Sequence, residues 1–207
     1  MKLIFATGNS GKLREAREIL APAGIEVVSP YDLGLTKEQV DIEETGSSFE
    51  ENAILKVRNL YGLCGQPCFA DDSGLVVDAL GGAPGIYSAR YASLDGFGED
   101  HNFASNIDKL LHKMQGVQDR KARFVCSVAL ILPEAGGIKQ FYGTCEGRIA
   151  MERAGCGGFG YDPVFIPDEL PNTGALTLAE ISEEEKNAIS HRGKALRAMA
   201  VWLQTRI

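Results

Sequence analysis

The chain reads as an α/β protein, on three observations. An apolar run, Leu3-Ile4-Phe5-Ala6, ends in Thr7-Gly8-Asn9. Leu13, Ala16, Ile19 and Leu20 then recur at helical spacing until Pro22-Ala23-Gly24, and Ile25-Glu26-Val27-Val28 returns to strand-forming residues. Strand, helix and strand at the head of the chain make a βαβ unit.

Residues 47–61 form the clearest helix. Ser48 followed by Glu51 is a capping box, and Phe49, Ala53, Val57, Leu60 and Tyr61 make its buried stripe. Asn52 and Lys56 lie four apart and so project from one face. Cys68-Phe69-Ala70 then leads into Asp71-Asp72-Ser73-Gly74, which interrupts an apolar pattern resumed by Leu75-Val76-Val77. A Gly/Pro-rich loop, Gly81 to Gly85, follows. Phe103, Ile107, Leu110, Leu111 and Met114 mark another helix. Strands over 122–132 and 138–146, joined by Pro133-Glu134-Ala135-Gly136-Gly137, read as a hairpin. Residues 161–165 read as strand, and 178–206 as helix with a break at Ser190-His191-Arg192-Gly193. No internal repeat or linker divides the chain, so 1–207 is expected to act as a single domain.

The composition excludes several classes. With 44% hydrophobic and 24% charged residues the chain is ordinary globular material. No apolar run is long enough to span a membrane, and the N-terminal run is too short for a signal-peptide core. Five cysteines without paired CxxC spacing fit reduced thiols, and hence a cytoplasmic protein. A net charge of −7 argues against a nucleic-acid polymer as partner. It leaves a nucleotide substrate open, because a divalent cation can bring phosphates to an acidic protein.

Four stretches carry chemistry. Ala6 to Leu13, ATGNSGKL, resembles a P-loop in which Ala6 replaces the first Gly and Leu13 the metal-binding hydroxyl. A Walker-type ATPase is therefore excluded. Thr7, Gly8, Asn9, Ser10, Gly11 and Lys12 still lie where a strand meets a helix N-terminus, whose unpaired N–H groups suit an anion. A plain βα turn with Asn or Ser as N-cap fits equally well.

Gly155-Cys156-Gly157-Gly158-Phe159-Gly160 matches GxGxxG, but it runs into strand-like residues rather than a helix, so dinucleotide binding is rejected. What remains is a loop that lets backbone approach a ligand, with Phe159 and Tyr161 available to stack on a flat ring, or a tight bend with core aromatics.

Asp71-Asp72 places two carboxylates in a buried-looking run, which is costly without partners. Adjacent strand residues face opposite ways, so one Asp faces a pocket and the other supports the loop. Asp72 and Glu43 could hold one Mg²⁺ largely through water. The plainer alternatives are an Asx-turn at 71–72 and a solvated acidic loop at Glu43-Glu44. In Glu183 to Arg192, the acids fit a helix's first turn and the bases its end. Alternatively, Lys186, His191 and Arg192 present donors to phosphate and a base carbonyl.

Together, ATGNSGK, EETGSSFEENAILK, ADDSGLVVDALGGAPGIYSARYA, GGFGYDPVF and LAEISEEEKNAISHRGKAL resemble the inosine/xanthosine triphosphate pyrophosphatase family, the Ham1-like non-canonical purine NTP pyrophosphatases. The match runs from the first strand to the last helix. The resemblance implies an α/β fold with a long central mixed sheet, two α/β lobes and a site in the cleft between them. It implies Mg²⁺-dependent hydrolysis of ITP, dITP and XTP to the monophosphate and pyrophosphate, by a homodimer. It implies that Thr7 to Lys12 contact the triphosphate, that Asp72 is catalytic and a metal ligand with Glu43, and that Lys56 contacts phosphate. Ser73, Phe159, Gly160, Tyr161, Asp162, Lys186, His191 and Arg192 would line the substrate pocket. Two other classes compete: a nucleotide sensor without turnover, and a Maf-type pyrophosphatase acting on modified pyrimidine nucleotides. The GAPGIYSARYA loop, with Arg90, would lie at the dimer surface or the cleft.

Overall fold

The computed structural model describes residues 1–169 and 175–205. In chain order the main elements are β1 (Lys2–Phe5), α1 (Ser10–Leu20), β2 (Glu26–Val28), α2 (Lys37–Val40), α3 (Phe49–Cys64) and β3 (Cys68–Val77). They continue with α4 (Phe103–Lys113), β4 (Lys121–Ile131), β5 (Ile138–Ile149), β6 (Phe165–Pro167), α5 (Glu183–Ile189) and α6 (His191–Gln204). The strands form one mixed sheet ordered β2-β1-β3-β4-β5-β6. β1 pairs in parallel with β2 and β3, with Leu3 opposite Val27 and Phe5 opposite Phe69, while β6 runs antiparallel to β5. The α/β fold with a mixed sheet is the one the sequence predicts.

Contacts divide the chain into two units. The first comprises 1–72, 126–143 and 191–207, and the second 73–125 and 144–190. In the first unit, strand alternation gives the sheet two apolar faces. Leu3, Phe5, Phe69, Val128 and Leu130 pack with Ala16 and Leu20 of α1 and with Leu196, Met199 and Leu203 of α6. The Phe5 and Phe69 rings stack at 4.3 Å. On the other face Ile4, Cys68, Ala70 and Ala129 meet Ala53, Val57 and Leu60 of α3. Gly143 on β5 lets α6 start against the strand, because a Cβ there would run into the His191 carbonyl oxygen.

The second unit has its own core, in which Leu75, Val77, Leu110, Phe124, Tyr161 and Phe165 take part. Segment 85–92 is tied to α4 by buried polar groups. Asn106 Oδ1 accepts from Ala92 N at 2.7 Å, and Lys109 Nζ donates to the Tyr91 carbonyl at 2.5 Å and to Asp95 at 2.8 Å.

Besides the strand read over 161–165, where Asp162–Val164 form a single 3-10 turn and β6 begins only at Phe165, three local readings change. β3 runs unbroken through Asp71-Asp72-Ser73-Gly74, because both carboxylates find cationic or amide partners and the strand need not turn out to water. The capping box at α3 is half made: Ser48 Oγ accepts from Glu51 N, but the Glu51 carboxylate bonds Ser47 instead of the Ser48 N–H. The C-terminal helix predicted over 178–206 begins only at Glu183, breaks at Ser190 and is seen to Gln204. A true capping box between Ser182 and Glu185 fixes that start, and residue 206 lies outside the described residues.

Candidate active site

The loop after β1 is the βα turn that the plainer reading of ATGNSGKL expects. Asn9 is extended and caps α1, its Oδ1 accepting from Lys12 N at 3.1 Å, and Thr7 Oγ1 accepts from Asn9 N at 3.2 Å. Gly8 is tightly enclosed: a Cβ there would lie 2.8 Å from the Tyr31 hydroxyl. The N–H groups of Ser10 and Gly11 open a helix, where geometry leaves them without carbonyls of their own helix, so the turn retains the features of an anion cradle. The Lys12 ammonium folds onto Asp71 at 2.9 Å.

Asp71 and Asp72 point to opposite faces of β3, as strand alternation requires. Asp71 Oδ1 accepts from Lys12, and Oδ2 from Arg192 Nε at 3.0 Å, while Arg192 Nη1 donates to Glu15. The Cys126 thiol also donates toward Asp71, at 3.8 Å, and burial beside that carboxylate pushes the thiol's pKa up. Burial alone would raise the Asp71 pKa, but Lys12, Arg192 and Lys56 override it and hold the carboxyl well below the ordinary range.

Asp72 faces α3. Its Oδ2 accepts from Asn52 at 3.1 Å and its Oδ1 from Lys56 at 2.9 Å, so the helical spacing of Asn52 and Lys56 delivers both donors to one carboxylate. Lys56 donates to Glu44 as well, at 2.8 Å. Burial raises the Asp72 pKa, with Glu44 adding to the rise and Lys56 and Lys12 opposing it. Burial works against the Lys56 charge, yet Asp72, Glu44 and Asp71 more than offset that and raise its pKa. Of the acidic pair before α3, Glu44 is half-buried in this cluster and Glu43 is exposed.

His191 and Arg192 are buried at the start of α6, within the same unit. The remaining predicted residues belong to the second unit. Asp162 Oδ2 accepts from Lys186 Nζ at 2.6 Å and from Phe159 N at 2.7 Å, and the Lys186 ammonium sits 4.6 Å from the Phe159 ring centroid. Gly158 makes room for this, because a Cβ would collide with the Asp162 carboxylate. Tyr161 is buried and donates to the Ser88 carbonyl at 2.9 Å, so of the two aromatics Phe159 is the one left half-exposed. Gly160 is half-buried beside it, and Ser73 is half-buried on β3 immediately after Asp72.

Three partners escape the sequence reading. Glu15 and Cys126 sit inside apolar patterns that mark them only as core-facing. Asn52 shows its face of the helix but not its partner, Asp72. The available signal for Glu15 was its place one turn after Lys12 on α1.

This arrangement defines a class: an α/β protein with a strand–loop–helix turn at its first helix and, in the same unit, a buried acid held between an ammonium and an amide. Comparison with known proteins makes the class specific. Residues 3–202 match the model of the Ham1 family, and the chain belongs to that family. It is similar to the dITP/XTP pyrophosphatase of Bacillus licheniformis, 46% identical over 98% of this chain and 97% of that one. It is similar to the dITP/XTP pyrophosphatase of Shigella flexneri, 48% identical over 96% of this chain and 95% of that one. Among solved structures, the Staphylococcus aureus Ham1 protein superposes with a TM-score of 0.83 at 40% identity, with all of both chains covered. A nucleoside-triphosphatase / dITP/XTP pyrophosphatase from Mycobacterium abscessus gives 0.71 at 40% identity, covering 96% of this chain and 97% of that one.

Proposed function

We propose that the protein hydrolyses non-canonical purine nucleoside triphosphates (ITP, dITP and XTP) to the monophosphate and pyrophosphate, with Mg²⁺, and so clears deaminated purines from the nucleotide pool. The enzyme class is nucleoside-triphosphate pyrophosphatase, the activity for which its Bacillus and Shigella relatives are named. The observation that carries the mechanism is Asp72, a buried carboxylate oriented by two donors from α3 in the unit that holds the phosphate loop.

Magnesium suits this donor set. It takes one or two carboxylates and completes its shell with water and phosphate oxygens, and among the described residues no ready-made cage of three ligating side chains exists. Asp72 would hold it together with the Glu43-Glu44 pair, of which Glu44 already lies in the cluster. When bound, the cation neutralises charge on the phosphate oxygens and the departing pyrophosphate.

The chain's own groups supply the rest. Thr7 to Lys12 receive the phosphates at the helix N-terminus, and Lys12 and Lys56 hold them in line for attack at the α-phosphorus. Asp72 orients the attacking water and accepts its proton, for which a pKa raised by burial is an advantage. Phe159 stacks on the base, with Ser73, Gly160 and Asp162 lining the pocket, while Tyr161, also expected there, stays in the core with its hydroxyl on the Ser88 carbonyl. Lys186 would donate to the 6-oxo group, which adenine lacks, whereas His191 and Arg192, expected for this role from the resemblance, are buried in the first unit, Arg192 against Asp71 and Glu15. A site built on such a donor rejects the wrong base by roughly 10⁴-fold when it is left unpaired. The active form is proposed to be a cytoplasmic homodimer.

A sensor without turnover would need the cradle but not the Asn52–Asp72–Lys56 set, and a Maf-type enzyme would prefer a pyrimidine. One assay separates the three: ITP, dTTP and ATP are incubated with and without Mg²⁺ and the products identified. IMP and pyrophosphate from ITP, only with Mg²⁺, are expected. IDP with orthophosphate, or no turnover, refutes the proposal.

A further inference from the structure

Lys12 and Glu15 lie one turn apart on α1, and their side chains meet the two ends of one buried chain of charges. Lys12 Nζ bonds Asp71 Oδ1 at 2.9 Å, Asp71 Oδ2 accepts from Arg192 Nε at 3.0 Å, and Arg192 Nη1 donates to Glu15. The backbone of α1 closes the ring. Asp71, Arg192 and Glu15 side chains are at most 6% exposed, whereas Lys12 is 18% exposed. Three members are therefore sealed inside the first unit, and the ring reaches the surface at Lys12.

We propose that Glu15 is a positioning residue for the phosphate loop, acting through Arg192 and Asp71 to hold the Lys12 ammonium in place. The inference rests on the reading of Thr7 to Lys12 as a phosphate cradle. A flexible lysine loses rotamer freedom when it binds an anion, and a ring that has already ordered it lowers that cost. Glu15 shares the charge of Arg192. Without that share, more of the guanidinium's charge falls to Asp71, and the hold of Asp71 on Lys12 weakens.

Simple charge bookkeeping points the other way. Glu15 is an anion near an anion site, so its removal should tighten phosphate binding. The sign of the effect therefore decides between the two.

The experiment measures binding of inorganic tripolyphosphate by calorimetry, in Mg²⁺ buffer, to the full chain and to Glu15→Gln, with thermal melting run alongside. About tenfold weaker binding to the variant is expected, with a matching rise in KM for ITP and little change in kcat. Unchanged or tighter binding by a folded variant overturns the proposal, as does a loss confined to melting temperature, which marks Glu15 as merely structural. Glu15→Asp, which keeps the charge with a shorter reach, is expected to fall between the two and serves if Glu15→Gln does not fold. In a Lys12→Ala background Glu15→Gln should change binding by less than twofold; a further tenfold loss overturns the route through Lys12. No binding by the unaltered protein sinks the cradle reading and this inference together, whereas equal binding by both proteins sinks this inference alone.

Discussion

Asp71 takes its bonds from Lys12 and Arg192, while its neighbour Asp72 takes its bonds from Lys56 and Asn52. One peptide unit separates two carboxylates whose surroundings push their pKa values apart, Asp71 down and Asp72 up. Such divergence separates a group kept as a permanent charge from one able to exchange a proton.

Asp72→Asn keeps the shape and the contact with Lys56 but removes the proton acceptor. The expected result is a fall in kcat of about 10²–10⁴-fold, the range for a lost general base. Tripolyphosphate binding should persist. Near-normal turnover of ITP would remove Asp72 from the mechanism.

The Asp71 prediction concerns stability. Its pKa in the folded chain lies below the unfolded value, so its contribution is complete above about pH 4 and is lost as pH falls through that value toward the folded one. Urea unfolding at pH 7 and pH 3 should show a loss of stability for the unaltered chain that is smaller in Asp71→Asn. At pH 7 the variant should be less stable, because Lys12 loses its buried counter-charge and Arg192 keeps Glu15 but loses Asp71. Parallel pH profiles would contradict this assignment.

Chelation tests the metal. Excess EDTA should abolish release of pyrophosphate from ITP, and added Mg²⁺ should restore it. Turnover that survives chelation would mean that Lys12 and Lys56 alone manage the phosphate charge.

Phe159 tests the base. Stacking on an aromatic ring is worth about 1–3 kcal/mol per base, so Phe159→Ala should raise KM for ITP by roughly tenfold or more. Tripolyphosphate has no base, and its binding should be unaffected. An equal loss for both ligands would place Phe159 in the scaffold, through its contact with Lys186.

What the sequence discloses follows from what is periodic. The βαβ start, the α3 stripe and the shared face of Asn52 and Lys56 are local patterns, and each appears in the structure at its expected place. The partners of buried charges are not periodic. Arg192 meets Asp71 across 121 residues of chain, and Glu15 across 177, and no spacing rule reaches that far. The same lack explains β3: two acids look like a break until their counter-charges are seen. Tyr161 shows the limit of composition, since its ring packs in the second core while its hydroxyl finds the Ser88 carbonyl.

The unbroken course of β3 turns the identity of the acids into a matter of phase. Residues 68–72 are read alternately by the α1/α6 face and the α3 face, Phe69 and Asp71 by the first and Cys68, Ala70 and Asp72 by the second. Deleting any one residue from Cys68 to Ala70 would leave the composition of the motif untouched and still turn each carboxylate to the opposite face, Asp72 into the place beside Lys12 and Arg192 and Asp71 into the place of Ala70 on the α3 side. The letters DD are symmetric, but the frame that reads them is not.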